Sequence, residues 1–387
     1  MTNNKSLPAS VWMLGLVSLL MDTSSEMIHS LLPVFLVSVV GASAATLGLI
    51  EGVAEATAQI VKVFSGVLSD RFRSRKPLTL LGYGLAALSK PLFPLAGSAL
   101  TVLLARFADR IGKGVRGAPR DALIADVTPH DQRGAAFGLR QALDTVGAFL
   151  GPLLAVGLML AFANDMRRVF WIAVIPAVLC VLLLWFGVRE PDAPRSANPR
   201  PSPLAGLRSG AFGAPFWRLA GVVALFTLAR FSEAFLILRA QTTGLAPQWV
   251  PLALVLMNAV YMLAAYPAGK LSDTAPRARL LGWGCVALAA ADACLGFGAS
   301  LPWIALGIAL WGLHLALTEG LVAALTADCS PPDLVATGFG LINLVRGVLM
   351  LVASIVAGAA WTALGPGATF TIGLVFAAAT AVAVRFL

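Results

Sequence analysis

The 387-residue chain is 58% hydrophobic and only 12% charged, with a mean hydropathy of +0.85. Soluble domains sit near roughly 45–50% apolar and ~25% charged. The composition therefore excludes an ordinary soluble enzyme, a disulfide-stapled secreted domain, a disordered tail and a large extramembrane catalytic domain. The formal charge of +9 would suit nucleic acid, but the basic residues are dispersed between apolar runs and no aromatic-basic surface module accompanies them.

Apolar runs of about twenty residues, the length a bilayer core demands of a helix, predict about twelve spans. They fall near 11–40, 45–69, 77–97, 99–119, 134–162, 168–188, 216–240, 247–269, 280–298, 302–327, 335–360 and 367–386. The first run continues beyond signal-peptide length and contains Asp22 and Glu26, so it reads as a retained span. The breaks after spans two, four, six and eight carry Arg71, Arg73, Arg75, Lys76, Arg120, Arg133, Arg189, Arg195, Arg200, Arg208, Lys270, Arg277 and Arg279. The opposite breaks are nearly free of Lys and Arg, apart from Arg167 and Arg168. The positive-inside rule then places both termini in the cytoplasm of a multi-pass protein of a bacterial-type inner (plasma) membrane. The Pro-rich stretch 189–215 reads as a semi-rigid cytoplasmic linker between an N-terminal six-helix half, 1–188, and a C-terminal six-helix half, 216–387. Cys180, Cys285 and Cys294 lie in apolar runs and Cys329 in a predicted turn, with no CxxC or Cys/His spacing for zinc.

The two halves repeat. Residues 122–139 read ALIADVTPHDQRGAAFGL, and 202 residues later 324–341 read ALTADCSPPDLVATGFGL. Gly66-Val67-Leu68-Ser69-Asp70 recurs as Gly269-Lys270-Leu271-Ser272-Asp273, and Ser25-Glu26 as Ser232-Glu233. Two parallel six-span repeats imply an axis along the membrane normal and a substrate path between the halves near mid-bilayer.

Three runs resemble signatures of the major facilitator superfamily, and the resemblance covers essentially the whole chain. Gly66 through Asp70-Arg71-Phe72-Arg73-Ser74-Arg75-Lys76 resembles G-x-x-x-D-R-x-G-R-R/K, with Arg73 where glycine is usual and the basic pair one residue late. Arg110-Ile111-Gly112-Lys113-Gly114 resembles R-x-x-Q-G, with Lys113 for glutamine. Gly147-Ala148-Phe149-Leu150-Gly151-Pro152 resembles the G-x-x-x-G-P signature of the antiporter branch, although Ala155-Val156 replaces the glycine pair that normally follows. The resemblance implies an all-α fold of two pseudo-symmetric six-helix halves, transport by alternating access rather than catalysis, and an efflux direction. It also implies that Gly66, Asp70, Arg71, Arg75 and Asp273 form a gating latch and that Arg110 lies near the cavity, with Asp22 or Asp144 as its partner. Physically, a carboxylate at a helix end among cations can be bridged to a neighbouring helix. Gly147, Gly151 and Pro152 allow close approach and a kink, which suits a gating seam or ordinary packing. Gly112-Lys113-Gly114-Val115-Arg116-Gly117 matches G-x-G-x-x-G, but it follows a membrane helix rather than a strand, so no nucleotide site is expected.

Ionisable groups at mid-bilayer are expensive, and each is a functional hypothesis. Asp22, Glu26 and His29 share one face of span one, and Glu51, Glu55 and Lys62 share one face of span two. Span four carries Arg106, Asp109, Arg110, Lys113 and Arg116, and span five Arg140 and Asp144; Lys90, Arg230, Glu233, Asp292, His314, Glu319 and Arg346 complete the set. These charges can pair structurally, or the acids can carry protons while the bases bind solute. The candidates for proton coupling are Asp22, Glu26, Glu51, Glu55, Asp109, Asp144 and Glu233. Those for substrate binding are Arg106, Arg110, Lys113, Arg140, Lys90, Arg230 and Arg346. Arg116 and Arg120 are expected to snorkel to the cytoplasmic interface. With three histidines in all and no G-x-S-x-G, no enzyme constellation is present.

The expected function is proton-coupled export of a small polar or anionic solute. The alternatives are a proton symporter importing an organic anion and a metal-ion or metal-chelate transporter. The expected partners are lipid, solute and protons, with no nucleic acid; the chain is expected to act as a monomer, without a cofactor beyond the proton gradient and without a resident metal.

Overall fold

The computed structural model describes residues 7–71, 74–129, 132–188, 212–272, 275–331 and 334–387, with the side chains of 66, 67, 69–71 and 336 outside the description. Twelve helical spans occupy these residues. In chain order they are Ala9–Val39, Ala44–Arg71, Lys76–Leu95, Ala99–Val127, Arg133–Ala161, Met166–Gly187, Ala214–Thr242, Pro247–Ser272, Arg277–Phe297, Leu301–Cys329, Val335–Leu364 and Pro366–Phe386. Ten contain a window apolar enough to cross a bilayer by composition alone. The second and fourth, 28 and 29 residues long, have the length but carry the densest interior charge. Toward the outside the spans present apolar side chains, among them Leu88, Phe186, Leu263 and Tyr266, each more than 70% exposed, as a lipid-facing surface requires.

The repeat read from the sequence recurs in the helices. Ala99–Val127 and Leu301–Cys329 are both 29 residues and begin 202 residues apart, as do Arg133–Ala161 and Val335–Leu364. The fourth span runs on past the expected end at 119, through Pro119, to Val127. Residues 189–211, most of the expected linker, lie outside the described residues.

The chain packs as two compact units. The first comprises Met1–His29, Val61–Ala96 and Leu100–Arg200; the second comprises Ser30–Ile60, Gly97–Ala99 and Pro201–Leu387. The second unit thus takes the end of the first span and most of the second in addition to spans seven to twelve.

Among the described residues, the first, third and seventh spans break part-way along their length. The first helix stops at His29 and resumes at Leu32, and the third stops at Ser89 and resumes at Leu92. Pro33 and Pro91 explain both, since each lacks the N–H that would continue the ladder. The seventh span stops at Ala229 and resumes at Ala234 without a proline. Here serines satisfy the freed backbone: Ser232 N–H donates to Ser354 Oγ at 3.3 Å, and Ala234 N–H donates to Ser232 Oγ at 3.3 Å. Irregular backbone at membrane depth survives only with such internal partners. An arginine fork closes an orphaned carbonyl end in each unit. Arg167 donates to Pro94 O (2.5 Å) and Ala96 O (2.9 Å) beyond the third span, and Arg239 donates to Leu295 O and Gly298 O (both 2.7 Å) at the end of the ninth.

Candidate functional site

In the first unit the fourth span places Arg106, Asp109 and Arg110 on successive turns facing the first and third spans. All three are buried, as is Lys90 at the break of the third span. Lys90 Nζ donates to Asp109 Oδ1 and to Ser25 Oγ, both at 2.9 Å. Arg106 and Arg110 stand 4.0 and 3.8 Å from Asp109, and Arg106 Nη2 lies 2.6 Å from His29 Nδ1. Three cations stand within 4.0 Å of one carboxylate.

Below it on the same span, Arg116 lies 3.7 Å from Asp22 and stacks over the Tyr83 ring at 4.7 Å. Arg120 donates to Ser18 Oγ (2.9 Å), which shares a 3.1 Å hydrogen bond with Tyr83 Oη. These two arginines are 4% and 9% exposed. The expectation that they snorkel to the interface is therefore corrected. Because the helix continues to Val127, both residues sit inside the unit, where an aromatic face and hydroxyls receive them. Next to them Arg140 pairs with Asp144 at 3.0 Å and with Asp121 at 3.6 Å, while Arg120 lies 3.0 Å from Asp121 and 4.0 Å from Asp144. Arg110 thus neighbours Asp109, whereas Asp22 meets Arg116 and Asp144 meets Arg140 and Arg120.

The glycine seam of the fifth span lies against these acids. A β-carbon on Gly147 would come within 3.1 Å of the Asp22 β-carbon and 2.8 Å of Leu19 O; one on Gly151 would come within 2.6 Å of the Glu26 β-carbon and 2.8 Å of Thr23 O. Pro152 is buried beside them. Glu26 is half-buried and has no ion-pair or hydrogen-bond partner among the described residues. Lys113 is exposed and likewise has no ion pair among them. Gly112, from the nucleotide-like run, packs its face on the third span, where a β-carbon would lie 2.6 Å from Gly82 O. Gly112 is a helix-packing residue.

In the second unit the interrupted seventh span presents Arg230, Ser232 and Glu233. Arg230 Nη1 reaches Glu319 Oε1 at 2.5 Å, and Arg346 Nη2 reaches the same oxygen at 3.1 Å and Oε2 at 3.3 Å. Two guanidiniums share one carboxylate, and the Glu319 and Arg346 side chains remain 33% and 25% exposed. Glu51, 1% exposed, accepts from Ser232 Oγ at 3.4 Å. Glu55 is half-buried one turn further along the second span, and Glu233 precedes the helix that restarts at Ala234. Of the latch, Arg75 pairs with Asp126 at 3.3 Å. Asp273 lies outside the described residues, and so do the side chains at positions 66, 70 and 71.

Twelve spans, a 202-residue repeat and a charged interior are features of a transporter, and comparison with known proteins settles the family. The Major Facilitator Superfamily profile matches residues 14–354. The chain belongs to the major facilitator superfamily. It is 34% identical, over 100% of its length and 96% of the relative's, to an MFS-type transporter of Methanocaldococcus jannaschii. It is 26% identical to the multidrug resistance protein MdtH of Aeromonas salmonicida over 80% of this chain and 76% of the relative. Among solved structures, a POT family transporter in complex with 5-aminolevulinic acid aligns with a TM-score of 0.80 at 14% identity, covering 98% of this chain and 95% of that one. The human organic anion transporter MFSD10 aligns at 0.69 and 20% identity, covering 97% and 99%. These likenesses carry the fold, and the transporter's solute is read from its own residues.

Several residues of the network escape a sequence reading. Asp121 and the Arg120 contact to Ser18 enter because the fourth span is longer than hydropathy suggested, and Tyr83 enters through its ring under Arg116. The continuing apolar pair Leu123-Ile124 was the available signal.

Proposed function

We propose that the protein is a proton-coupled exporter of a small polar or anionic solute, working by alternating access in a bacterial-type inner membrane with both termini cytoplasmic. The observation that carries this reading is Glu26, a half-buried carboxylate without a cation partner among the described residues, set against Gly151 in a unit whose other interior acids, Asp22, Asp109 and Asp144, are all paired. A carboxylate of this kind takes a proton or a donor group of the solute, but not both. Mutual exclusion at one group is the thermodynamic basis of exchange, because each ligand favours the state in which it binds better. Lys113 is exposed and has no ion pair among the described residues, so an acidic group on the solute has a partner in the same unit. The multidrug-resistance relatives and the G-x-x-x-G-P seam support the outward direction.

One observation favours a second reading, symport of an organic anion with protons. A proton on Glu319 would free Arg230 and Arg346 together, so that proton and anion load in concert. A panel of radiolabelled mono- and dicarboxylates and amino acids, assayed in inside-out vesicles with and without an imposed pH gradient, separates the two. Export predicts accumulation inside inverted vesicles driven by an acidic lumen; symport predicts that the same gradient empties them.

A further inference from the structure

The ninth and tenth spans hold a group of polar side chains that the charge networks above do not use. Asp292 is fully buried and His314 fully buried, and Trp311 is 1% exposed. Neither Asp292 oxygen, neither His314 ring nitrogen and not the Trp311 indole nitrogen has a hydrogen-bond partner among the described residues. The shell around them is aromatic. Trp311 lies 5.7 Å from His314 and 5.5 Å from Phe231, centroid to centroid, and His314 lies 5.6 Å from Phe226. Asp292 is bound into the same shell: a β-carbon on Gly373 would sit 2.6 Å from Asp292 Oδ2 and 3.0 Å from Phe231 Cε1.

The repeat sharpens the contrast. Asp292 lies 202 residues after Lys90, and Trp311 lies 202 residues after Asp109. In the first unit those two positions form a direct 2.9 Å ion pair. The second unit keeps the position and the burial but turns the cation into an acid and its partner into an indole. An ionised carboxylate buried among aromatics without a hydrogen bond is far too costly to persist, and such a group neutralises instead. The site offers too few oxygen donors for a metal cation, which needs several, whereas a proton needs one.

We propose that Asp292 is a proton-binding carboxyl, neutral in the arrangement seen here, and that Trp311 Nε1–H and His314 are the polar groups that receive the carboxylate when its proton leaves. The electrostatic surroundings allow this. The twelfth span, packed on the ninth, has no titratable residue between Pro366 and Ala383, and its final turn carries Arg385. The tenth span contributes His314 and, beyond it, Glu319, which is held by Arg230 and Arg346. The seventh contributes Arg230 and Glu233 on either side of Phe231 and, further along, Arg239, which is spent on Leu295 O and Gly298 O of the ninth; the ninth itself carries Cys285, Cys294 and the terminal Arg277 and Arg279. No permanent cation is bonded to Asp292 among the described residues. The use of this proton in transport rests on the proton-coupled reading above; its presence on Asp292 does not.

Infrared difference spectroscopy of the full-length protein in nanodiscs, wild type against Asp292→Asn, reads the proton directly. At neutral pH the subtraction is expected to show one carboxylic-acid carbonyl band lost and no carboxylate band lost. In Trp311→Phe that band should persist to higher pH, because the carboxylate has lost a donor. Loss of a carboxylate band at neutral pH would overturn the proposal, as would failure of Asp292→Asn to fold, since an amide replaces a neutral acid with the same shape and charge. In the vesicle panel, one pH unit imposed across the membrane supports about a tenfold solute gradient per coupled proton. Asp292→Asn should lose that factor while gradient-free exchange continues. An undiminished gradient would overturn the coupling role. A wild-type protein that shows the band but ignores the pH gradient would overturn the proton-coupled reading and leave the proton site standing.

Discussion

Gly151 and Glu26 meet across the first and fifth spans with no room for a side chain between them: a β-carbon on the glycine would lie 2.6 Å from that of the glutamate. The seam therefore does more than join two helices, because it fixes the height and direction of an acid that has no cation to hold it. Gly147 does the same one turn away for Asp22. In Gly151→Ala the neighbours include Thr23 backbone oxygen at 2.8 Å, which cannot rotate away, so the spans must part. Overpacking of this kind costs about 1–3 kcal/mol. Thermal unfolding in detergent should show that loss together with slowed transport. Gly157→Ala, with nothing within 4 Å of the new carbon, should change neither.

Asp109 lies within 4.0 Å of Lys90, Arg106 and Arg110. Removing one member of a buried pair costs about 3–5 kcal/mol, chiefly from the uncompensated partner. Asp109→Leu should accordingly be strongly destabilised. Adding Lys90→Met should restore part of the loss, with a coupling energy of at least about 1 kcal/mol in the double-mutant cycle. Additive losses would mean that the pair is not energetically joined.

Arg346 and Arg277 are both ion-paired but should behave differently. Arg346 shares a partly exposed Glu319 with Arg230, while Arg277 pairs with Asp328 at a surface where the two side chains are 37% and 55% exposed. A surface pair contributes at most about 1 kcal/mol. On the symport reading, Arg346→Ala should weaken binding of the solute's acidic group by about tenfold, equal to about 1.4 kcal/mol. Arg277→Ala should leave affinity unchanged. Equilibrium binding to the purified variants checks both.

Tyr83 supports the interior arginines through two contacts that can be separated. Tyr83→Phe keeps the ring under Arg116 and loses the hydroxyl on Ser18, an effect of about 0.5–1.5 kcal/mol. Tyr83→Leu loses the ring face as well, a further loss of about 0.5–2 kcal/mol. Unfolding measurements should order the three proteins accordingly.

The spans and the family were legible in the sequence because length and hydropathy respond directly to the bilayer, and because the repeat marks equivalent residues. The side-chain partnerships were less legible. Arg116 and Arg120 look like interfacial residues when the fourth span is ended at 119; its real end at Val127 turns them inward onto Tyr83 and Ser18. The break of the seventh span has no proline to announce it. It depends on Ser354, which is 122 residues away, and no local pattern encodes such a partner. Asp292 was visible as an intramembrane acid, but its lack of a partner is a property of packing alone.

The central claim is that a proton and the solute exclude one another at Glu26, so that they cross in opposite directions. The most direct measurement is simultaneous recording of internal pH and labelled solute in proteoliposomes of known orientation, wild type against Glu26→Gln. The account predicts that solute leaves the cytoplasmic side as protons enter it, and that Glu26→Gln folds, still exchanges solute for solute, and loses the share of the coupling to the pH gradient that Glu26 carries. Solute and protons moving together in the same direction, or full coupling in Glu26→Gln, would contradict it.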